Sequence, residues 1–544
     1  MTGALIAEIV ASVLGLCGTV LSGLRFLRVA QREHYLPGAP TRFARRWWGA
    51  DPLEGALFVC AVVSIPGALV VPGLSGVAGL VAAILPRRLS VRGRTSPLKW
   101  TRRLRTLALA SGLIAVVLLA IGALAGGVEG VAIAAGAAGL VTPLLIDLCL
   151  VVLAPLEDRI ARRYLTSAQD RLRRVAPRIV AITGSYGKTT TKGYVAHLLS
   201  GRYRVVASPA SYNNRAGLSR TVNENLLPGT EVLVAEMGTY GPGEIAGLCD
   251  WLTPTIAVIT AIGPVHLERF GTVENIVAAK SEITNLADVV VLNVGDARLA
   301  GLAATLAAEN KHVVRCSSNP GSRAEVDVLL TRLGRESSGE LHRETGLETL
   351  LLVLGGTTQW RIELAPSSIP AALSNVACAV AVALELGVAP EECLARLGDL
   401  PGAANRLSVE RSASGVVVLD DTFNSNPAGA RLALGALARL AAPGHRTVVV
   451  TPGMVELGPL QELENESFAA DAARVASTVV IVARTNRRAL LRGVKGVRAS
   501  QRGEASEPEV VVVDRREDAV AWVRRHCGGL DVVLYENDLP DHFP

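Results

Sequence analysis

The stretch Ile179-Val-Ala-Ile-Thr-Gly-Ser-Tyr-Gly-Lys-Thr-Thr-Thr-Lys192 constrains this chain more than any other. Its apolar start reads as a strand, which runs through a short glycine-containing loop into a helix-forming run. Gly184 and Gly187 leave room for backbone N–H groups to close around phosphate oxygens. Lys188 adds a positive charge, and the Thr189 hydroxyl can reach a divalent cation. The loop is shorter than the usual P-loop, because the position five before Gly187 is Ile182. An ordinary strand-to-helix turn can carry the same string. The strand before it and the helix after it favour a nucleotide site, with ATP the expected nucleotide.

The first third of the chain is built differently. Ala4 to Leu24 is an apolar run of the length that spans a bilayer, about 20 residues. It lacks a basic start, carries Glu8 and has its arginines after the apolar run, so it reads as a retained span rather than a cleaved signal. Leu53 to Leu85 is too long for one span and is broken by Pro66 and Pro72. Thr106 to Gly127 and Val131 to Pro155 are further candidates, with a short turn around Glu129 between them. Basic residues crowd the segments Arg25–Arg46 and Arg87–Arg105 and the stretch from Arg159 onward. The positive-inside rule puts all three on the cytoplasmic side. The N-terminus and the Glu129 turn then lie outside, and Leu53–Leu85 forms a hairpin or re-entrant pair. Asp147, inside the last apolar run, is either functional or else pairs with an arginine or lies near the interface. The expected partner is therefore the lipid bilayer. No nucleic acid is expected, because the charge is not accompanied by aromatic side chains for base stacking. The eight cysteines are scattered and form no CxxC pair, which argues for reduced thiols and against structural zinc.

From Arg178 onward, strand and helix patterns alternate, so the expected class is α/β. A helical transmembrane region (1–155) is followed by a P-loop-type central domain with a mostly parallel sheet (156–407). A Rossmann-like C-terminal domain (408–544) closes the chain. Within Val326–Leu364 the pattern changes to one resembling a small antiparallel patch, and Pro401–Leu407 reads as a linker. Glu236 ends an apolar strand, at the end that faces the ligand crevice of an open α/β sheet, and suits a magnesium role. His266 also follows a strand and would by itself be a structural histidine more often than a ligand. Lys280 lies on a helical run and would alone be an ordinary surface lysine. Asp420 and Asp421 close another strand and can hold a ribose or a metal; Asn426 before Pro427 suits a helix cap.

Taken together, Thr183–Thr191, Ala235-Glu-Met-Gly238, His266-Leu-Glu268, Ala279-Lys-Ser-Glu-Ile283, Asp420-Asp-Thr-Phe-Asn-Ser-Asn-Pro427 and Met454-Val-Glu-Leu-Gly458 resemble the Mur ligases. Within that family, the last two strings resemble those of the UDP-N-acetylmuramoyl-tripeptide:D-alanyl-D-alanine ligases. The resemblance implies ATP-dependent activation of a carboxylate as an acyl phosphate, attacked by an amino acid or dipeptide amine. The acceptor would be a cell-wall precursor, possibly lipid-linked. Gly184, Ser185, Gly187, Lys188, Thr189, Thr190, Asn375, Arg406 and Asp421 would contact nucleotide. Thr189, Glu236, His266 and Lys280 would hold Mg2+, with Lys280 as a carbamylated lysine. Lys188, His266 and Lys280 would be the catalytic residues, and Asn213 and Asn214 would face substrate. The chain departs from the family in having membrane spans where a UDP-sugar-binding domain is expected. Ala371-Ala372 replaces a His-Asn pair, Pro452-Gly453 a Gly-Asp pair, and Leu534-Tyr-Glu-Asn-Asp-Leu-Pro540 a Lys-Gly-Ser segment. A polymer ligase of the poly-γ-glutamate type and a catalytically silent membrane scaffold are the competing readings.

Overall fold

A computed structural model describes residues 3–50, 52–87, 89–91, 97–333, 347–365, 369–370, 372–402, 407–423, 425–500 and 508–539. The chain divides into two compact units, one built on Met1–Arg162 and the other on Arg163–Asp538.

The first unit is helical: α1 (Gly3–Arg32), α2 (Ala39–Ala50), α3 (Pro52–Gly67), α4 (Gly76–Ile84) and the start of α5 (Arg102–Val175). Among the described residues, two helices, α1 and α5, are long and apolar enough to cross a membrane, and a third span results if the bent pair Ala39–Gly49 and Pro52–Gly67 counts as one. As one straight rod, α5 would extend about 110 Å at 1.5 Å per residue. It is instead broken at Gly126 and Gly127, whose backbones leave the helical region (Gly127 φ 57°, ψ −132°). A Cβ on Gly122 would lie 2.3 Å from the Gly130 carbonyl oxygen, so the two arms fold back on each other at van der Waals distance. The turn therefore lies at Gly126–Gly127, where glycine allows the reversal, and not around Glu129. Glu129 instead accepts a hydrogen bond from the Gly73 amide (3.2 Å). Small residues form the seam of this unit. A Cβ on Gly18 would meet the Gly79 carbonyl oxygen at 2.3 Å, and one on Gly15 the Ala135 methyl at 2.6 Å. Among the described residues, Asp147 pairs with no arginine but does not stand free. Its oxygens accept from the amides of Gly38 (2.7 Å) and Thr41 (3.0 Å), capping the N-terminus of α2, where donors lack helical partners.

Among the described residues, the second unit holds two sheets. The larger has nine strands: β1 (Arg178–Thr183), β2 (Val205–Ala207), β3 (Val232–Glu236), β4 (Ile256–Ile259), β5 (Val289–Asn293), β6 (His312–Ser317), β7 (Val328–Arg332), β8 (Glu348–Leu354) and β9 (Thr358–Leu364). Their order is β2-β3-β1-β4-β5-β6-β7-β8-β9. The pairs from β2 to β7 are parallel and the last two are antiparallel. The expected antiparallel patch is formed by β7, β8 and β9. β7 pairs parallel with β6 through Cys316–Val328, so the patch extends the central sheet. Alternate residues of β1 enter different cores, as a period of two requires. Val180 and Ile182 pack with Leu198 and the helix Leu373–Glu385, whereas Ile179 and Ala181 pack with Leu218 and Ile245.

The second sheet contains β10 (Ser408–Arg411), β11 (Val417–Asp421), β12 (Thr447–Thr451), β13 (Thr478–Val482), β14 (Glu509–Val513) and β15 (Val532–Glu536). Their order is β10-β11-β15-β12-β13-β14, parallel apart from the β10–β11 pair. β10 adds an antiparallel edge that hydrophobic patterning does not announce, because most of its residues are exposed.

Candidate active site

The carboxyl ends of β1, β3 and β4 converge at the Gly184–Gly187 loop, which enters helix α6 (Lys188–Leu199). Both glycines are required by space. Gly184 (φ 150°) would place a Cβ 2.1 Å from the Thr260 hydroxyl, and Gly187 (φ 79°) would place one 2.5 Å from Asn375 Oδ1. Asn375 is buried on the helix Leu373–Glu385 and so lies directly against the loop. Ser185 ties the loop inward: its amide donates to the Ala261 carbonyl (2.8 Å) and its hydroxyl to that of Gly263 (3.1 Å). Lys188 Nζ donates back to the Gly184 carbonyl at 2.7 Å. The amides of Lys188, Thr189 and Thr190 lie in the first turn of α6, the end of a helix that favours an anion.

Glu236, the last residue of β3, is 1% exposed. Its Oε2 accepts from the Thr189 hydroxyl (2.9 Å) and from Lys192 Nζ (3.0 Å), and its Oε1 from Asn213 Nδ2 (3.2 Å). Burial alone would raise this carboxyl. The charges of Lys192 and Lys188 and the hydrogen bonds from Lys192 and Thr189 outweigh it and hold the group below the ordinary carboxylate range. Glu236 is therefore an ionised carboxylate beside a hydroxyl, a pair of hard oxygen donors that suits Mg2+. Among the described residues, no group of three or more His, Cys, Asp or Glu side chains gathers into a metal cluster. A cation here would draw on hydroxyl and phosphate oxygens as well.

Lys280 is buried near the end of the helix Val273–Ser281 and is no surface lysine. Burial, and then the neighbouring Lys188 charge, push its ammonium well below the ordinary value. His266 caps a short helix (Leu267–Phe270) with a left-handed backbone, φ 62°. Its Nδ1 lies 2.5 Å from Glu456 Oε2, and its ring meets Tyr240 edge-on at 5.3 Å. Asn214 caps the helix Arg215–Asn225 by accepting from the Gly217 amide (2.9 Å), while Asn213 joins Glu236. Asp421 ends β11 and accepts from the Leu407 amide (3.0 Å). Arg406 lies outside the described residues. The structure thus brings Thr189, Glu236 and Asn213 together, sets Lys280 beside Lys188 and Asn375 against Gly187, and joins His266 to Glu456. Sequence reasoning missed Lys192. Its place one helical turn after Lys188, on the same face of α6, was the available signal.

Two family models match the chain: the Mur ligase middle domain over residues 182–383 and the Mur ligase glutamate ligase domain over 405–535. The UDP-N-acetylmuramoyl-tripeptide–D-alanyl-D-alanine ligase of Mycobacterium leprae is 33% identical over 377 residues, covering 65% of this chain and 70% of the relative. The chain belongs to the Mur ligase family. It is accordingly an ATP-dependent carbon–nitrogen ligase. The corresponding Bacillus subtilis enzyme is 29% identical over 299 residues, covering 54% of this chain and 60% of the relative. In fold, this Mur ligase resembles the MurF ligase of Thermotoga maritima solved in complex with ADP. That match has a TM-score of 0.57 at 24% identity and covers 70% of this chain and 80% of the other. The first matched segment begins at residue 182, so the N-terminal helical unit lies outside both.

Proposed function

We propose that this Mur ligase works at a membrane and makes an amide bond in peptidoglycan precursor synthesis, with α1 and the two arms of α5 as its spans. The observation that carries the chemical reading is the Thr189–Glu236–Lys192 cluster, with Glu236 and Lys192 buried, at the mouth of the phosphate loop. Small-residue seams between helices, which do without a hydrophobic driving force, support the membrane reading. The α4 helix, nine residues and about 14 Å long, is too short to cross a hydrocarbon layer of about 30 Å and suits a re-entrant element.

The relatives' name pairs a UDP-linked muramoyl tripeptide with D-alanyl-D-alanine, and the same substrate class is the reading for this chain. The membrane unit, standing outside the matched segments, favours an acceptor that is itself lipid-linked. The substrate carboxylate oxygen attacks the γ-phosphorus of ATP, and ADP leaves. The amine then attacks the acyl carbon, phosphate departs, and the amine proton is lost to solvent. Lys188 and the N-terminal amides of α6 offset charge that develops on the transferring phosphoryl group. Thr189 and Glu236 would hold Mg2+, with His266 as a further ligand; when bound, the ion neutralises phosphate charge. A neutral Lys280 amine can attack carbon dioxide and release a proton, leaving a carbamate anion. The Lys188 cation would face it and favour it.

The test uses full-length protein in detergent or nanodiscs, mixed with ATP, D-alanyl-D-alanine or single amino acids, and nucleotide- or lipid-linked muramoyl acceptors. Product is read by mass spectrometry. A new amide formed with stoichiometric phosphate release is expected, and it is lost in Lys188→Ala. Absence of both nucleotide binding and product with every acceptor would leave the silent scaffold. Extraction of the protein from membranes by alkaline carbonate would remove the anchor.

A further inference from the structure

The loop after β12, Thr451-Pro-Gly-Met-Val-Glu-Leu-Gly458, is held by three buried asparagines from three different elements. Asn465, on the helix Gln461–Val475, accepts from the Met454 amide (2.7 Å) and donates to the Met454 carbonyl (2.9 Å). Asn486 follows β13 and donates to the carbonyls of Pro452 (3.0 Å) and Met454 (2.9 Å). Asn537 follows β15 and donates to the Gly453 carbonyl at 2.6 Å. Gly453 (φ 76°) must be glycine, since a Cβ would lie 2.3 Å from Asn465 Oδ1.

Past this clamp, Glu456 adopts a left-handed backbone, φ 64°, which is unfavourable for a non-glycine residue. Such a conformation persists where surroundings over-determine it. It sends the carboxylate across to the nine-stranded lobe, where Oε2 meets His266 Nδ1 at 2.5 Å. His266 is itself left-handed and is braced by Tyr240, whose ring is stacked by Arg269 at 4.7 Å. Gly458 lies beside the Glu268 backbone, with a Cβ reaching its amide nitrogen at 3.3 Å. Among the described residues, His266 Nε2 has no protein partner, so one ring nitrogen is engaged and the other is presented.

We propose that Glu456 is a positioning residue: docking of the six-stranded lobe fixes the His266 ring through Nδ1 and presents Nε2 to a divalent cation. Neither partner is useful alone. An imidazole whose second nitrogen is hydrogen-bonded to a carboxylate is fixed in tautomer and orientation and is the more basic donor. Metal binding on one lobe is thereby coupled to closure by the other, and the asparagine clamp supplies the rigidity that the contact needs. This rests on reading His266 as a metal ligand, and the experiment separates the two.

Mn2+ serves as the probe. It is titrated into full-length protein in detergent with a non-hydrolysable ATP analogue, and free ion is counted by electron paramagnetic resonance, so no turnover is involved. Loss of a carboxylate behind a ligating histidine weakens metal binding about 10–100-fold. Glu456→Ala is expected to fall in that range while leaving the dissociation constant of the analogue alone nearly unchanged. Glu456→Gln, which keeps an acceptor oxygen, is expected to retain most of the affinity. The double variant Glu456→Ala/His266→Ala should bind Mn2+ no more weakly than His266→Ala alone. The Glu456 side chain is 34% exposed, so truncation leaves no buried cavity. Unchanged Mn2+ affinity in Glu456→Ala beside weakened affinity in His266→Ala would overturn the positioning role, as would additive losses in the double variant. Full Mn2+ affinity in His266→Ala would instead remove the ligand reading, and the proposal with it.

Discussion

Replacing Lys192 by methionine tests whether the phosphate-loop region rests on a buried ion pair. Lys192 and Glu236 lie 3.0 Å apart with side chains 6% and 2% exposed, so solvent does little to screen them. Removing one partner of such a pair leaves an uncompensated buried charge and costs about 3–5 kcal/mol. Thr189 and Asn213 still donate to Glu236, and Lys188 still acts on it, which places the expected loss toward the lower figure. In a domain of this size, 1 kcal/mol moves the thermal midpoint by about 2–4 °C, so a fall of roughly 6–12 °C is expected. Adding Glu236→Gln should return much of it, because the orphaned charge is gone and the amide can still bond Thr189. The assay is thermal unfolding of wild type, both single variants and the double in detergent, at fixed ionic strength. A midpoint loss below about 2 °C for Lys192→Met, or a double variant as unstable as the sum of the singles, would refute the reasoning.

Gly187→Ala is expected to abolish binding of an ATP analogue, since its methyl would displace Asn375 and a left-handed alanine costs about 1–2 kcal/mol; isothermal titration checks it. Lys280→Ala should lose turnover and regain part of it with added short carboxylates, and full activity without them would exclude the carbamate. Glu536 is fully buried, its Oε1 accepts from the Ser425 hydroxyl, and its Oε2 finds no donor among the described residues. Burial first, then the Asp421 charge, push its carboxyl well above the ordinary range. A raised acid favours the fold below its unfolded value and loses that contribution as pH climbs through the folded one. Glu536→Gln should therefore match wild type near pH 4 and become the more stable of the two as pH rises, which melting curves across pH will show.

Where neighbouring residues carried the whole signal, the sequence was sufficient. The strand, loop and helix from Arg178 to Leu199 follow from an apolar β-branched run, two glycines and a helix former, all within one turn of each other. Asn426 as a cap before Pro427 is local in the same way, and its side chain accepts from the Gly429 amide at 2.9 Å. Glu236 stood out because a carboxylate at the end of a buried strand needs a partner. The identity of that partner did not follow, since Lys192 reaches Glu236 across 44 positions.

The tertiary structure alone decided what depends on groups far apart in the chain. The reversal in α5 falls at Gly126–Gly127 because those glycines can leave helical geometry, whereas Glu129, two residues past Gly127, remains helical. Asp147 meets Gly38 and Thr41 across more than 100 positions and becomes a helix cap. Glu456 reads as one acidic residue in a short motif until Asn465, Asn486 and Asn537 are seen to aim it at His266. Backbone propensity and hydrophobic periodicity act over a few residues and can be read in one dimension. Hydrogen bonds and ion pairs are short in space but indifferent to separation along the chain, so their partners emerge only once the sheets and helices have packed.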